Sequence, residues 1–350
     1  MRALLTAEMD KTLIEEIEEF LEVEKGGWFT SNRLLDEDEL IDRLRDKEVL
    51  ITSYDKVTRK VIESCPNLKL IACTRSNPVN IDYDAAFEHG IPIIHTPGRN
   101  ADSAAEYTFS LMLNISRNTP FAYMALKNGK YVQESVEKGK TSDIGKADVT
   151  WALGEGSPYL VFKGFELKGK TLGIVGFGQI GKKVAELAKA FGMDILVYDP
   201  NFKIVDGSNR QVDLNELLLQ SDFITLHAAV VPETIGLMNK RTFQLMKRSA
   251  YLINTSRGAI INEEDLIEAL RNKEIAGAAL DVFASEPLQA DHPFLNELEN
   301  VIITPHIAGA TYDAITNHTK MIISDLKKFM NGELLEFQYK EEKGGVPVVE

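Results

Sequence analysis

Cysteine is scarce in this chain. Cys65 and Cys73 are the only two in 350 residues, at a spacing that fits neither a metal site nor a redox pair, and no metal is expected. A disulfide-stapled scaffold is excluded, and a reducing, cytoplasmic setting is the expectation. Positive charge is short as well: 39 Lys and Arg face 53 Asp and Glu, for a net charge of -14. So acidic a chain complements nucleic acid and anionic membranes poorly, and neither is expected as a partner. Long apolar runs are also missing. No stretch reaches the ~20 residues needed to span a bilayer, and the opening MRALLTAEMDK, with its short apolar run, does not read as a signal peptide. What remains is ordinary for a soluble globular protein, 44% apolar and 26% charged, with length for about two domains.

The most informative stretch runs from Thr171 to Asp199, TLGIVGFGQIGKKVAELAKAFGMDILVYD. Leu172 to Val175 reads as a buried strand. A turn follows through Gly176, Phe177, Gly178, Gln179, Ile180 and Gly181. Val184, Leu187, Ala188 and Phe191 then recur at helical spacing, and a second apolar run, Ile195 to Tyr198, ends on Asp199. A glycine-rich turn alone is a weak signal. Set between two strands, opening a helix and followed by an acid, it points strongly to a dinucleotide. Gly176 permits the tight turn, Gly178 lets the backbone approach a pyrophosphate, and Gly181 lets helix and strand pack closely. The helix N-terminus offers N–H groups and the positive end of its dipole to the phosphates. Asp199 can accept both ribose hydroxyls of NAD and repel the extra phosphate of NADP, so NAD is the expected cofactor.

Before this stretch the chain reads as a small α/β unit. Arg2 to Ala7 is a strand, Lys11 to Val23 an acidic amphipathic helix, and Glu39 to Arg45 a second helix. Val49 to Ser53, Leu68 to Cys73 and Ile91 to His95 are further strands. A long helix is predicted from Ser103 to Arg117, capped by Asp102. Residues 128–168, with Trp151 and the Gly154-Glu155-Gly156-Ser157-Pro158 turn, show no sustained period; a linker and a packed lid or oligomer arm both fit. From Lys170 strands and helices alternate regularly, which predicts a parallel sheet with strands at 171–176, 194–199, 222–227, 250–255, 276–281 and 301–305. Asn262 caps one helix, and a last helix runs from Tyr312 to Met330.

Ligands of open parallel sheets bind beyond the carboxyl ends of the strands. Those ends carry, in order, Asp199, His227, Ser256-Arg257-Gly258, Asp281 followed by Glu286, and His306. Hydride transfer to a 2-keto acid needs a cation to hold the carboxylate and polarise the carbonyl, as Arg257 could. It needs a proton donor, for which histidine suits neutral pH. A carboxylate such as Glu286 can fix that histidine's tautomer and favour its imidazolium. Strand position leaves His227 and His306 equal as the acid, and leaves Asp281 either a strand-end cap or a nicotinamide-side partner.

With these residues in view, the chain resembles the D-isomer-specific 2-hydroxyacid dehydrogenases, especially phosphoglycerate dehydrogenase-like members, over nearly its whole length. The matching stretches are NIDYDAA at 80–86, the 100–117 helix, LKGKTLGIVGFGQIG at 167–181, LINTSRGAIINEEDLIEAL at 252–270, AGAALDVFASEP at 276–287 and ITPHIAGAT at 303–311. The resemblance implies His306 as acid–base, Glu286 as its partner and Arg257 as the substrate-binding cation, with His227 lining the cofactor site chiefly through its backbone. The cofactor-binding set it implies is Thr108, Gly176, Gly178, Gln179, Ile180, Gly181, Asp199, His227, Ala228, Thr234, Thr255, Ser256, Asp281, Ala308 and Gly309. It also implies an α/β architecture of two Rossmann-like, doubly wound parallel-sheet domains. A smaller, discontinuous substrate domain (1–101 plus 311–350) would flank an NAD-binding domain (102–310) with an insertion around 128–168. A homodimer or dimer-based tetramer would form through the nucleotide domains.

Two departures from the family pattern touch the substrate side. A glycine-rich loop is usual where this chain has Thr74-Arg75-Ser76-Asn77-Pro78. Ser76 and Asn77 can still offer backbone N–H groups to a carboxylate, and Arg75 adds a cation for a second anionic group or a partner for a surface acid. The 128–168 segment looks some twenty residues longer than in compact members. Asn100 matches the family's substrate-side asparagine, with Arg99 beside it, and Ala229 stands where proline is frequent. The expected activity is an NAD-dependent D-2-hydroxyacid dehydrogenase. It would transfer hydride reversibly between nicotinamide C4 and C2 of a small polar 2-keto or 2-hydroxy acid, phosphoglycerate- or sugar-acid-like. With no regulatory domain visible after residue 350, a phosphoglycerate dehydrogenase assignment would imply the short, unregulated form. The alternative readings are an NAD(H)-sensing, corepressor-like binding module and a phosphite oxidiser on the same triad; formate dehydrogenases, which also resemble the family, carry glutamine where Glu286 stands.

Overall fold

The computed structural model describes residues 1–132, 156–203 and 209–340. Of the irregular 128–168 segment, residues 133–155, Trp151 among them, lie outside the described residues. The chain divides into two compact units, Met1–Ser103 with Gly309–Glu350, and Ala104–Ala308.

In the first unit, β1 (Arg2–Leu5), β2 (Glu22–Lys25), β3 (Val49–Thr52), β4 (Leu70–Cys73) and β5 (Ile93–Ile94) form a parallel sheet in the order β2-β1-β3-β4-β5. Side chains alternate across a strand, so consecutive apolar residues supply both faces. Leu4, Leu50, Ile71 and Ile93 pack one way, against Leu40, Leu44, Val61 and Ile62. Ala3, Leu5, Ile51 and Leu70 pack the other way, onto Ile322, Ile323 and Leu326 of the helix Tyr312–Met330. That helix starts where predicted, with Thr311 Oγ1 accepting from the Ala314 N–H at 3.1 Å.

Two local expectations need correction. The helix expected over 11–23 is confined to Ile14–Glu18, where only Ile14 and Ile17 are buried, and Glu22–Lys25 adds instead to the edge of β1. Charges at alternate positions of Glu22-Val23-Glu24-Lys25 suit an edge strand as well as a helix surface. The long helix runs over Ala101–Ser116, so Asp102 lies in its first turn and is not its cap.

In the second unit seven parallel strands appear among the described residues: β6 (Thr171–Val175), β7 (Asp194–Tyr198), β8 (Arg210–Gln211), β9 (Phe223–Leu226), β10 (Tyr251–Asn254), β11 (Gly277–Leu280) and β12 (Val301–Ile303). Their spatial order is β12-β11-β10-β9-β6-β7-β8. Alternation again divides them. Val175, Leu226, Leu252 and Leu280 enter one core, while Ile174, Val197, Ile253 and Ala279 enter the other. No helix among the described residues is long and apolar enough to cross a membrane.

Candidate active site

The strand order of the second unit arranges the chemistry. The crossover from β6 puts the glycine turn and Asp199 at the ends of β6 and β7, His227 at the end of β9, and the Arg257, Asp281 and His306 segments after β10, β11 and β12. Cofactor-side and acid–base candidates thus occupy opposite halves of one sheet edge.

The three glycines have different physical reasons. Gly176 has φ +92, and a Cβ there would fall 2.6 Å from the His227 carbonyl. At Gly181 a Cβ would fall 2.3 Å from the Gly176 oxygen, so helix and turn touch. At Gly178, the N-cap of the helix Gln179–Ala190, a Cβ would meet no protein atom within 4 Å. Internal packing therefore does not require that glycine, and the open space beside it leaves room for a ligand to approach the protein backbone. Gln179 and Ile180 open the helix. Asp199 Oδ2 accepts from Phe177 N at 2.7 Å and Oδ1 from Asn201 N at 2.8 Å, so the acid braces the turn it faces. A carboxylate accepts about four hydrogen bonds, which leaves capacity for ribose hydroxyls. The turn and its acid fit a nicotinamide dinucleotide.

His227 and His306, equal by strand position, differ in surroundings. His227 Nε2 engages Thr225 Oγ1 at 2.9 Å, and burial pushes the imidazole down to about 3, so the ring is neutral at pH 7. Its backbone contributes more: its N–H bonds the Val175 carbonyl at 2.7 Å, against Gly176. His306 is exposed and pairs through Nδ1 with Glu286 Oε2 at 2.7 Å, while Glu286 Oε1 accepts from Phe283 N at 3.0 Å.

The backbone of His306 sits at φ +54, a conformation seldom adopted by a residue with a Cβ. Asp281 holds it there. The Asp281 carbonyl accepts from His306 N at 2.8 Å, and its fully buried carboxylate accepts from Ile307 N at 3.0 Å, Ala308 N at 2.7 Å and Thr304 Oγ1 at 2.5 Å. Of the two roles open to Asp281, these contacts are those of a strand-end cap. Tyr107 bonds Thr304 and extends the network.

Asn254, which sequence reasoning missed, sets the Arg257 loop. Fully buried at the end of β10, it donates to Arg257 O at 2.9 Å and accepts from Ser256 N at 3.0 Å. A polar residue closing an apolar strand was its one visible signal. Ser256 Oγ donates to Ala228 O at 2.9 Å, and Thr255 meets Thr108 at 2.9 Å between hydroxyls. Thr234 is taken up within its own loop, with its hydroxyl 2.6 Å from Ala229 O and accepting from Val231 N at 2.9 Å. At Gly258 a Cβ would fall 1.9 Å from the Phe283 oxygen, so the segments carrying Arg257 and Glu286 lie in backbone contact. The second unit therefore gathers His306, Glu286, Asp281 and the Arg257 loop.

The first unit carries the predicted substrate-side residues. The Arg75 guanidinium lies 5.3 Å over the Tyr54 ring, so no surface acid claims it among the described residues. Ser76 Oγ donates to Thr96 O at 3.1 Å, and Asn77 Nδ2 is buried without a partner. The Asn100 side chain occupies the space over Gly309, where a Cβ would fall 2.2 Å from its Nδ2. No His, Cys, Asp and Glu cluster suited to a metal occurs among the described residues.

The family model for the D-isomer specific 2-hydroxyacid dehydrogenase NAD-binding domain matches residues 109–308. The chain belongs to that family. Among D-2-hydroxyacid dehydrogenase relatives it is 36% identical to the glyoxylate reductase of Thermococcus litoralis, over 95% of this chain and 95% of that protein. It is 37% identical to the D-3-phosphoglycerate dehydrogenase of Methanocaldococcus jannaschii over 96% of this chain, which spans only 59% of that protein. The apo-structure of D-lactate dehydrogenase from Escherichia coli matches at a TM-score of 0.74 and 28% identity, covering 97% of this chain and 100% of that one. Like other members of the D-2-hydroxyacid dehydrogenase family, this chain is a nicotinamide-dependent oxidoreductase acting on CH–OH groups.

Proposed function

We propose that the protein is an NAD-dependent D-2-hydroxyacid dehydrogenase acting reversibly on a small polar 2-keto or 2-hydroxy acid. The observation that carries this reading is the His306–Glu286 pair at 2.7 Å, on a loop fixed by a buried aspartate and borne by the sheet that carries the glycine turn. When bound, the nicotinamide supplies or accepts the hydride at C4. An ionised Glu286 can only accept, so His306 Nδ1 keeps its hydrogen and Nε2 gives the proton in reduction and takes it in oxidation. Arg257 offers a planar guanidinium to the substrate carboxylate and the C2 oxygen. Within the first unit, the backbone N–H groups of Ser76 and Asn77 are donors of a kind suited to a carboxylate.

The test is NADH oxidation at 340 nm with glyoxylate, pyruvate, hydroxypyruvate and 3-phosphohydroxypyruvate. Turnover of at least one is expected; none, with tight NADH binding retained, sinks the dehydrogenase reading. NAD over NADP follows from Asp199. Asp199→Ala should shift the NADH:NADPH ratio of kcat/KM toward NADPH by about tenfold or more, and an unchanged ratio removes that role.

A homodimer through the second unit completes the reading. Tyr123, Met124 and Leu126 are exposed on the helix Thr119–Lys127, as are Tyr159, Leu160 and Val161 nearby in sequence to Asn118's partner Phe162. So many exposed apolar side chains favour a protein partner, here a second copy. Sedimentation velocity should show a dimer at micromolar concentration; a monomer counts against it.

A further inference from the structure

The turn that carries Glu286 has little of its own to hold it. Ala284, Ser285, Glu286 and Pro287 are all exposed, so core packing fixes none of them, yet the 2.7 Å contact to His306 needs the Glu286 carboxylate in one place. Phe283, just before the turn, is buried, and its carbonyl lies against Gly258. Past Phe283 the backbone depends on hydrogen bonds. Glu286 supplies one itself, accepting from Phe283 N at 3.0 Å. A second comes from outside the turn, where Ala284 N donates to Glu263 Oε2 at 3.0 Å.

Glu263 opens the helix Glu263–Arg271 together with Glu264 and Asp265. Acids in a first turn are ordinarily explained by the helix dipole. That account does not cover Glu263, whose two oxygens serve two other segments of the chain. While Oε2 holds Ala284, Oε1 meets His292 Nε2 at 3.2 Å. His292 Nδ1 lies 3.2 Å from Phe294 N, and an N–H only donates, so Nδ1 carries no hydrogen and Nε2–H donates to Glu263. The imidazole rests against Phe294 at 4.7 Å between centroids, and the buried Phe294 packs on Phe283 at 6.2 Å. Both His292 and Glu263 have largely buried side chains. The helix behind them is anchored in the core by Leu266, Ala269 and Leu270. Fixed contacts thus run from that core through Glu263 to the start of the 284–287 turn, with His292 setting which way the carboxylate faces.

We propose that Glu263 and His292 are positioning residues for the proton-transfer pair: they fix the 284–287 turn, and through it hold Glu286 where it meets His306. Neither is assigned a chemical step. The proposal rests on the reading of His306 and Glu286 given above, and all of its residues belong to the second unit.

Variants of the full chain separate this role from one in stability alone. Glu263→Gln has a single carbonyl oxygen for two donors, so either Ala284 N or His292 Nε2 loses its acceptor. Its kcat should fall about tenfold, in keeping with the sensitivity of catalysis to small misplacements, with KM little changed. In a Glu286→Gln background the same substitution should cost less than about twofold, because the carboxylate it positions is gone. A fall of equal size in both backgrounds would make Glu263 purely structural and overturn the proposal. So would an unchanged kcat in Glu263→Gln where Glu286→Gln lowers it. His292→Gln keeps a donor at the Nε2 end and should retain near-wild-type kcat. His292→Asn can cap Phe294 N but is too short to reach Glu263, and should resemble Glu263→Gln; the reverse order removes His292 from the assignment.

Amide hydrogen exchange of the peptide 282–288, read by mass spectrometry, needs no turnover. Glu263→Gln and His292→Asn should each speed exchange there about tenfold or more, with the glycine turn as in wild type. Unchanged exchange overturns the positioning role. If Glu286→Gln alone leaves kcat unchanged, or the wild type reduces no 2-keto acid, the reading of the His306–Glu286 pair fails, and exchange in the turn decides the positioning by itself. Should Glu263→Gln not fold, His292→Asn carries the same measurements.

Discussion

Replacing His306 by alanine is expected to lower kcat by about a hundredfold to ten-thousandfold, the span typical of losing a positioned acid–base. NADH affinity, read from cofactor fluorescence, should stay near wild type, because the glycine turn and Asp199 belong to the other half of the sheet edge. His306 is exposed, so little core packing is lost with it. Glu286→Gln should reproduce part of the effect: the amide can hold the ring only by accepting through Oε1, and it cannot balance a positive charge. Unchanged turnover in His306→Ala would end its assignment as the acid. A large rise in NADH Kd would instead mean that the loop serves the cofactor.

The second large effect is expected at a residue that does no chemistry. Asp281→Ala removes a buried carboxylate that accepts three hydrogen bonds, leaving Ile307 N, Ala308 N and the Thr304 hydroxyl without their acceptor. A group orphaned in this way costs about 1–3 kcal/mol when buried, as Ala308 N is, and less when half-buried, as the other two are, so a total of about 3–4 kcal/mol is expected. In a unit of this size that corresponds to a Tm lower by about 6–12 °C. The loop also loses what keeps His306 at φ +54, so kcat should fall with stability. Asp281→Asn keeps the shape and part of the acceptor capacity, and should lie between. A Tm within a degree of wild type in Asp281→Ala would show that the carboxylate is not the anchor its contacts describe.

Much of this was legible because it is local. Apolar runs marked the strands of both sheets, and Asn262, read as a helix cap, accepts from Asp265 N at 3.2 Å. The ends of β6 to β12 collected the candidate residues before any coordinates were needed, since a parallel sheet aligns its carboxyl ends. What was hidden depends on distance. Arg99 and His318 meet across 219 positions, and no pattern in either neighbourhood announces the pair. Asn254 looked like the tail of an apolar strand, although its two hydrogen bonds shape the Arg257 turn. Glu22 and Val23, the start of β2, read as part of the helix because charges spaced two apart satisfy either surface; the open edge of β1 decided the matter.

The backbone contact at Gly258 has a consequence for engineering. Because the 256–258 turn and the 283–284 turn abut with no room for even a methyl group, they cannot be redesigned one at a time. Any loop graft intended to alter this enzyme would have to import both turns from the same donor.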